Sequence, residues 1–152
     1  MKSNLKKEND FKSELLNNKT IAFVPSGNSM WPTLKNKGQT VIVVPKTDRL
    51  KLYDVAFYER VDHSFVLHRV VEVLPKGYRM CGDSQINTED IEESAVFGVM
   101  AGFYVGDKYI EAGDKKYRRR VSKWYSNKLL RKIILKFFRL GLKLKTKSKK
   151  TK

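Results

Sequence analysis

A serine in a glycine-containing turn is the first residue of the chain whose type and setting suit chemistry. Ser29 lies in the segment 26–34, which reads SGNSMWPTL. A serine hydroxyl is a weak nucleophile that needs an adjacent base, and the oxyanion it generates needs backbone N–H donors. Gly27 would let the backbone approach a substrate closely, and Pro32 would stiffen the chain after the serine. The segment therefore predicts a candidate nucleophile at Ser29.

The chain contains two histidines, and their settings differ. His63 lies in a polar Asp-His-Ser turn, whereas His68 interrupts an apolar, β-branched run over 65–74. An imidazole titrates near neutral pH, so His68 suits the removal of a proton from a hydroxyl. Asp83 follows Gly82 at the predicted end of a strand, where a carboxylate could hold the imidazole in the productive tautomer. Taken singly, each of these features is more often structural, as a turn or a packed strand residue.

Short elements must position these residues, and the hydrophobic pattern predicts which ones. One helix is predicted over 8–17, with its apolar residues on one face. Beyond it the pattern changes to that of strands separated by turn signals. The predicted strands are 40–44, 55–58, 65–74, 78–81, 96–105 and 109–112. This spacing favours a mainly β fold, as an antiparallel sheet or partly closed barrel, over a parallel α/β fold.

The order of the motifs along the chain is more specific than any one of them. Gly-x-Ser-Met-x-Pro-Thr-Leu is followed by a strand, by Tyr-Asp-Val-Ala-Phe at 53–57, by His-Arg-Val-Val-Glu-Val at 68–73 and by Gly-Asp at 82–83. Over about residues 21–112 this order resembles the type I signal peptidases. The His-Arg-Val segment is similar to the branch found in the endoplasmic reticulum, archaea and some sporulating bacteria, in which histidine replaces lysine as the base.

The resemblance implies a signal-peptidase-like β fold, shared with the self-cleaving repressors, and a serine endopeptidase that cuts a leader or signal-like segment. The catalytic residues it implies are the nucleophile Ser29, the general base His68 and Asp83, which supports the histidine. The substrate-binding residues it implies are Gly27, Met30 and Pro32. The amide of Ser29 would serve the oxyanion, and an extended precursor peptide or protein would pair with a strand of the groove. One cysteine and two histidines make no credible metal site, and no cofactor is expected.

The chain departs from that family in two places. The Gly-Asp pair that usually follows Pro-Thr-Leu is Gly38-Gln39 here, and no N-terminal membrane anchor is visible. The first apolar run, 21–24, is short, and no stretch reaches the roughly 18 apolar residues of a spanning helix. The single cysteine, Cys81, excludes an intrachain disulfide and favours a reducing compartment. We therefore expect a cytoplasmic protein, peripheral to the inner membrane face where it meets a membrane.

The net charge of +16 is concentrated at the C-terminus. Residues 115–152 hold 17 of the 32 Lys and Arg residues and none of the 16 Asp and Glu residues. This asymmetry divides the chain into a lead-in (1–20) and a peptidase domain (21–114), which together are nearly neutral, and a basic helical tail (115–152). Between 121 and 144 the apolar residues share one arc and most of the cations the opposite face, as in helices that lie on anionic bilayers. Residues 145–152 are expected to be a solvated basic run.

Alternatives stay open for the tail and for the whole chain. The tail is suited to docking on a membrane or a partner protein, to packing on the β domain or to binding nucleic acid. Nucleic acid ranks last, because no binding module is recognisable and the apolar arc would have no role on phosphates. The whole chain resembles a self-cleaving repressor-type protease in part, although those proteins use lysine as base. It would also suit a non-catalytic domain that docks an extended peptide and is recruited to membranes by the tail. The role of the acidic segment 89–93 is not assigned.

Overall fold

The computed structural model describes residues 10–35 and 38–149. Helix α1 covers residues 10–16, and helices α2 (Lys115–Ser126) and α3 (Lys128–Lys149) complete the described chain. A short 3-10 turn lies at Glu93–Ala95. The strands are β1 (Ile21–Phe23), β2 (Val41–Pro45), β3 (Val55–Glu59), β4 (Phe65–Leu74), β5 (Gly77–Cys81), β6 (Glu89–Glu92), β7 (Val96–Val105) and β8 (Lys108–Glu111).

All eight strands belong to one antiparallel sheet. Its order is β1-β2-β7-β3-β4-β5-β6, and β8 pairs with the far end of β7. The predicted mainly β, antiparallel fold is therefore confirmed. The sheet is not closed into a barrel, because β1 and β6 stand at its opposite ends and do not pair with each other.

The sequence pattern predicts six of the strands, two of them with the observed ends. β4 and β7 are long runs of apolar and β-branched residues between clear turns, which is why their limits are easy to read. The pattern misses β1 and β6, which have three and four residues. The predicted helix 8–17 is confirmed over 10–16, and residues 8 and 9 lie outside the described chain. It ends where Asn18 adopts a left-handed φ of 58°.

The main core joins both ends of the chain to the sheet. Leu15 of α1 and Tyr117 and Val121 of α2 pack into one cluster with residues of β2, β3 and β7. A second, smaller cluster surrounds Tyr58 and Tyr78 on β3 and β5. The first helix of the basic tail is therefore part of the folded core.

The basic tail consists of two helices, and it becomes helical earlier than predicted. The Asp114 side chain caps α2 by accepting a hydrogen bond of 2.7 Å from the Tyr117 amide. Asn127 separates α2 from α3, and its side chain accepts from the Leu130 amide in the first turn of α3. The helical backbone continues through Lys149, beyond the predicted end at 144, and residues 150–152 lie outside the described chain. None of the helices described is long and apolar enough to cross a bilayer.

Candidate active site

Ser29 and His68 line the same cleft, which has a volume of about 380 Å³. Gly27 and Met30, which are predicted to contact substrate, line this cleft as well. Pro32 does not: it lines a separate cavity against α2 and the start of α3. The fold therefore brings together the predicted nucleophile, the predicted base and two of the three predicted substrate contacts, and it places Pro32 on the side of the tail.

The loop that carries Ser29 is fixed by its own conformation and by a neighbouring turn. Gly27 has a φ of 85°, in the left-handed region that glycine adopts without strain. The Ser29 carbonyl accepts a hydrogen bond of 2.8 Å from the Ser84 amide. A Cβ atom on Gly82 would lie 2.8 Å from the same carbonyl oxygen, so only glycine allows the 82–85 turn to approach this closely.

His68 is held at one ring nitrogen by two polar groups. It lies in β4 opposite Ala56 of β3 and is 2% exposed. Its Nδ1 atom lies 3.1 Å from the Tyr58 hydroxyl and 3.1 Å from Glu89 Oε1. The Tyr58 hydroxyl donates its proton to Glu89 at 2.6 Å, and an ionised carboxylate only accepts. Nδ1 must therefore carry the ring proton, which leaves Nε2, the other ring nitrogen, with a lone pair.

The pKa shifts at this cluster favour the protonation states that a general base needs. Burial lowers the pKa of His68, although the Glu89 carboxylate opposes the shift, so the imidazole is neutral at neutral pH. Burial alone would raise the pKa of Glu89, but hydrogen bonds from Arg60 and Tyr58 outweigh burial and lower it. Burial and the hydrogen bond to Glu89 raise the pKa of Tyr58, so the phenol keeps its proton.

Arg60 fixes the position of Glu89 from the end of β3. Its Nε donates to Glu89 Oε2 at 2.7 Å, and its Nη2 donates to Oε1 at 2.5 Å. A planar guanidinium that binds both oxygens of a carboxylate sets the orientation of that carboxylate as well as its charge. Glu89 comes from β6 and His68 from β4, so the contacts among Arg60, Glu89 and His68 join β6 and β4 to the end of β3.

Asp83 is bound elsewhere than predicted. It is completely buried, and its two oxygens accept from Arg69 Nε and Nη2, both at 2.7 Å. The Tyr125 hydroxyl donates to the same carboxylate at 2.7 Å. Among the described residues no hydrogen bond joins Asp83 to His68, and Asp83 acts on the imidazole only through its charge, which raises the pKa of His68. The predicted support of His68 by Asp83 is therefore provided by a different acid, Glu89.

The two tail helices hold the 82–85 turn, which lies beside Ser29. Trp124 Nε1 donates to the Asp83 carbonyl at 3.0 Å, and Arg131 donates to the carbonyls of Gly82 and Gln85. Arg131 also lies over the Tyr125 ring, 4.4 Å from its centroid. Arg131 therefore points at the body, unlike most cations of the tail.

Sequence reasoning missed Glu89, Tyr58 and Arg60 at this site. Glu89 lies within the acidic segment 89–93, to which the sequence pattern assigns no role, and the pattern identifies Tyr58 only as a strand residue. The alternation of β3 places Tyr58 and the buried His68 in contact across the β3–β4 ladder, which a pattern without strand register does not reveal.

No model of a known protein family matches the chain, and no curated protein matches it. The resemblance to the signal peptidases therefore depends on the ordered motifs of the sequence.

Proposed function

We propose that the chain is a serine endopeptidase of the signal-peptidase type, with Ser29 as nucleophile and His68 as general base. One observation carries the proposal: Ser29 shares a cleft with a buried histidine whose Nδ1 is held by an ionised carboxylate. Among the described residues no hydrogen bond yet joins the Ser29 hydroxyl to His68. Catalytic hydrogen bonds of this kind are often long in the free enzyme and tighten only with substrate bound.

The roles of the residues follow from their protonation states. The Ser29 hydroxyl attacks the peptide carbonyl carbon while its proton moves to His68 Nε2. Glu89 stabilises the imidazolium that results, and His68 then passes the proton to the departing amine. Within the part of the chain that the structure describes, the Ser29 amide has no acceptor, so it is available to the oxyanion. Water then hydrolyses the acyl-enzyme: His68 removes a proton from the water and returns it to the Ser29 oxygen as the acid product leaves.

An open strand edge beside His68 supports an extended substrate. The first half of β4, 65–68, pairs with β3 on one side, whereas β5 pairs with β4 only from Arg69 onward. The backbone groups of Ser64 and Val70 bond toward β3, so strand alternation directs those of Phe65 and Leu67 to the open edge. A peptide could add there as a further strand with its scissile bond near the nucleophile.

The walls of the cleft support apolar substrate side chains next to the cut. The lining of the cleft includes Phe57, the strand residues 65–67 and the segment 24–27. A leader or signal-like segment, which supplies small and apolar residues in extended form, fits these walls. We therefore propose a precursor peptide or protein as substrate.

The proposal predicts cleavage of some members of a mixed peptide library by the purified chain. Products identified by mass spectrometry should define a common site and should be absent with Ser29→Ala, because that variant lacks only the nucleophilic oxygen. Identical products from both proteins would reveal a contaminating protease. The complete lack of products from the wild type, tested also on unfolded precursor proteins, would contradict the proposal.

Glu89→Gln tests the contact with His68 by two readouts. We expect kcat to fall by about 100-fold or more, because the amide no longer fixes the Nδ1–H tautomer. The acidic limb of kcat/KM should also move to lower pH, because the negative charge of Glu89 raises the pKa of His68 and its removal lets that pKa fall further.

Asp90→Asn is the matched control for this prediction. Asp90 is the next residue of β6, and it pairs with Arg79 at the surface, away from His68. Its kcat and pH profile should match those of the wild type. Equal losses in the two variants, or an unshifted acidic limb in Glu89→Gln, would show that Glu89 has a structural role only.

A further inference from the structure

Helix α3 presents three distinct faces, whereas the sequence pattern suggested two. Its inner face packs on the body: Leu135 is completely buried, and Phe138 stacks on Trp31 with ring centroids 4.0 Å apart and planes 7° apart. The inner apolar face of α3 is therefore covered by the body, as expected for an amphipathic helix packed on a core.

A second apolar face of α3 remains uncovered. The exposed apolar stripe consists of Leu129, Leu130, Ile133, Phe137 and Leu140, whose exposed fractions are 72, 51, 46, 71 and 51%. At 3.6 residues per turn these positions span about 100° of the helix circumference, so they form one continuous strip. A contiguous exposed strip of large apolar side chains marks an interaction surface.

The third face carries positive charge and adjoins the exposed apolar stripe. The cationic stripe consists of Lys128, Lys132, Lys136 and Arg139, all of them exposed. Within the described chain none of these four forms an ion pair with a carboxylate. The sequence from 115 to 152 contains no acidic residue that could neutralise them.

We propose that the outer side of α3 docks the protein on an anionic membrane surface. The exposed apolar stripe would enter the boundary between headgroups and acyl chains, and the cationic stripe would lie against the lipid phosphates. The length of α3, 22 residues, lies within the range of lengths of such interfacial helices.

Charge complementarity selects this occupant over the others. A second copy of the chain would bring the same positive charge to the contact, which disfavours pairing of α3 with itself. Nucleic acid would satisfy the cations but leave five large apolar side chains in water. An anionic bilayer satisfies both stripes at once.

Docking by α3 would bring the cleft to the membrane surface. The same helix contacts Trp31, two residues after Ser29, and Arg131 holds the carbonyl of Gln85, which lines the cleft. It follows, on the basis of the proposed peptidase function, that the substrate is a precursor held at the membrane and cut close to the headgroups.

Vesicle sedimentation of the full chain tests the docking independently of catalysis. The wild type and Ser29→Ala should pellet alike with vesicles of phosphatidylcholine and phosphatidylserine, and neither should pellet with phosphatidylcholine alone. Lys132→Ala/Lys136→Ala should weaken partitioning about 30-fold, at about 1 kcal/mol for each lysine. Leu129→Glu/Phe137→Glu should remove it, whereas Val61→Glu, which alters a fully exposed valine of the β3–β4 turn, should leave it unchanged.

Several results would overturn the docking. They are wild-type protein left in the supernatant, undiminished binding by Leu129→Glu/Phe137→Glu, and self-association through Phe137 without vesicle binding.

A second experiment connects the docking to cleavage. A substrate peptide identified in the library is compared free and tethered to vesicles. Leu129→Glu/Phe137→Glu should slow cleavage of the tethered form only. Equal cleavage of both forms by both proteins would contradict the membrane inference and leave the peptidase proposal standing. Vesicle binding without any cleavage would contradict the peptidase proposal and leave the docking standing.

Discussion

Ser29→Ala and His68→Ala are each expected to lower kcat for peptide cleavage by about 10⁴-fold or more. In the proposed mechanism the first removes the atom that forms the acyl-enzyme, and the second removes the proton acceptor without which that atom is a poor nucleophile. Because the two groups act in one step, the double variant should be scarcely worse than either single one. Single-turnover and steady-state rates on a peptide from the library measure both effects.

His63→Ala is the matched control for the loss of His68. His63 is the only other histidine in the sequence, its side chain is 84% exposed, and it bonds to Glu59 instead of facing the cleft. Its replacement should change kcat less than twofold or so, since surface substitutions rarely disturb a site. Substantial cleavage by His68→Ala, in protein whose circular dichroism matches the wild type, would exclude His68 as the base.

The largest effect on stability is expected at the Arg69–Asp83 pair. Both side chains are completely buried and joined by two charge-assisted hydrogen bonds. Arg69→Met leaves the Asp83 carboxylate buried without its counter-charge, and removal of one partner from such a pair costs about 3–5 kcal/mol. Urea unfolding should show this loss as a lower midpoint at an unchanged slope.

Two further variants separate charge from packing at this pair. Arg69→Met/Asp83→Leu removes both charges and should recover much of the stability that Arg69→Met loses, because no uncompensated charge then remains. Arg79→Met breaks ion pairs with Glu72 and Asp90 at the surface, where less than about 1 kcal/mol should be lost. Equal losses in Arg69→Met and Arg79→Met would show that burial of the first pair is not what stabilises the fold.

The parts of the fold that the sequence predicts are those decided by local pattern. β4 and β7 read as long β-branched runs between turns, and α1 reads as a short amphipathic helix. β6 is acidic, and its strand conformation depends on pairing with β5 and on ion pairs from other strands. Closure into a barrel depends on strand order and tilt, neither of which is written in strand spacing.

The candidate site divides in the same way. Ser29 and His68 could be predicted because their ordered motifs are specific, and they do share a cleft. The sequence could not predict which acid lies beside His68, because Asp83 and Glu89 are only six residues apart, after β5 and at the start of β6. The register that sets Met80 opposite Glu89 brings Glu89 within hydrogen-bond reach of His68. Asp83 instead forms an ion pair with Arg69.

Trp124 and Tyr125 of α2 both bond to Asp83, while Tyr117 and Val121 are packed in the core. The sheet alone would therefore lack the contacts that hold the turn at Asp83 and complete the main core. Any gene fusion that transplants the folded sheet must carry α2 and the start of α3 with it. The stretch of gene that encodes the positive charge also encodes the side chains that hold the 82–85 turn, and selection on one constrains the other.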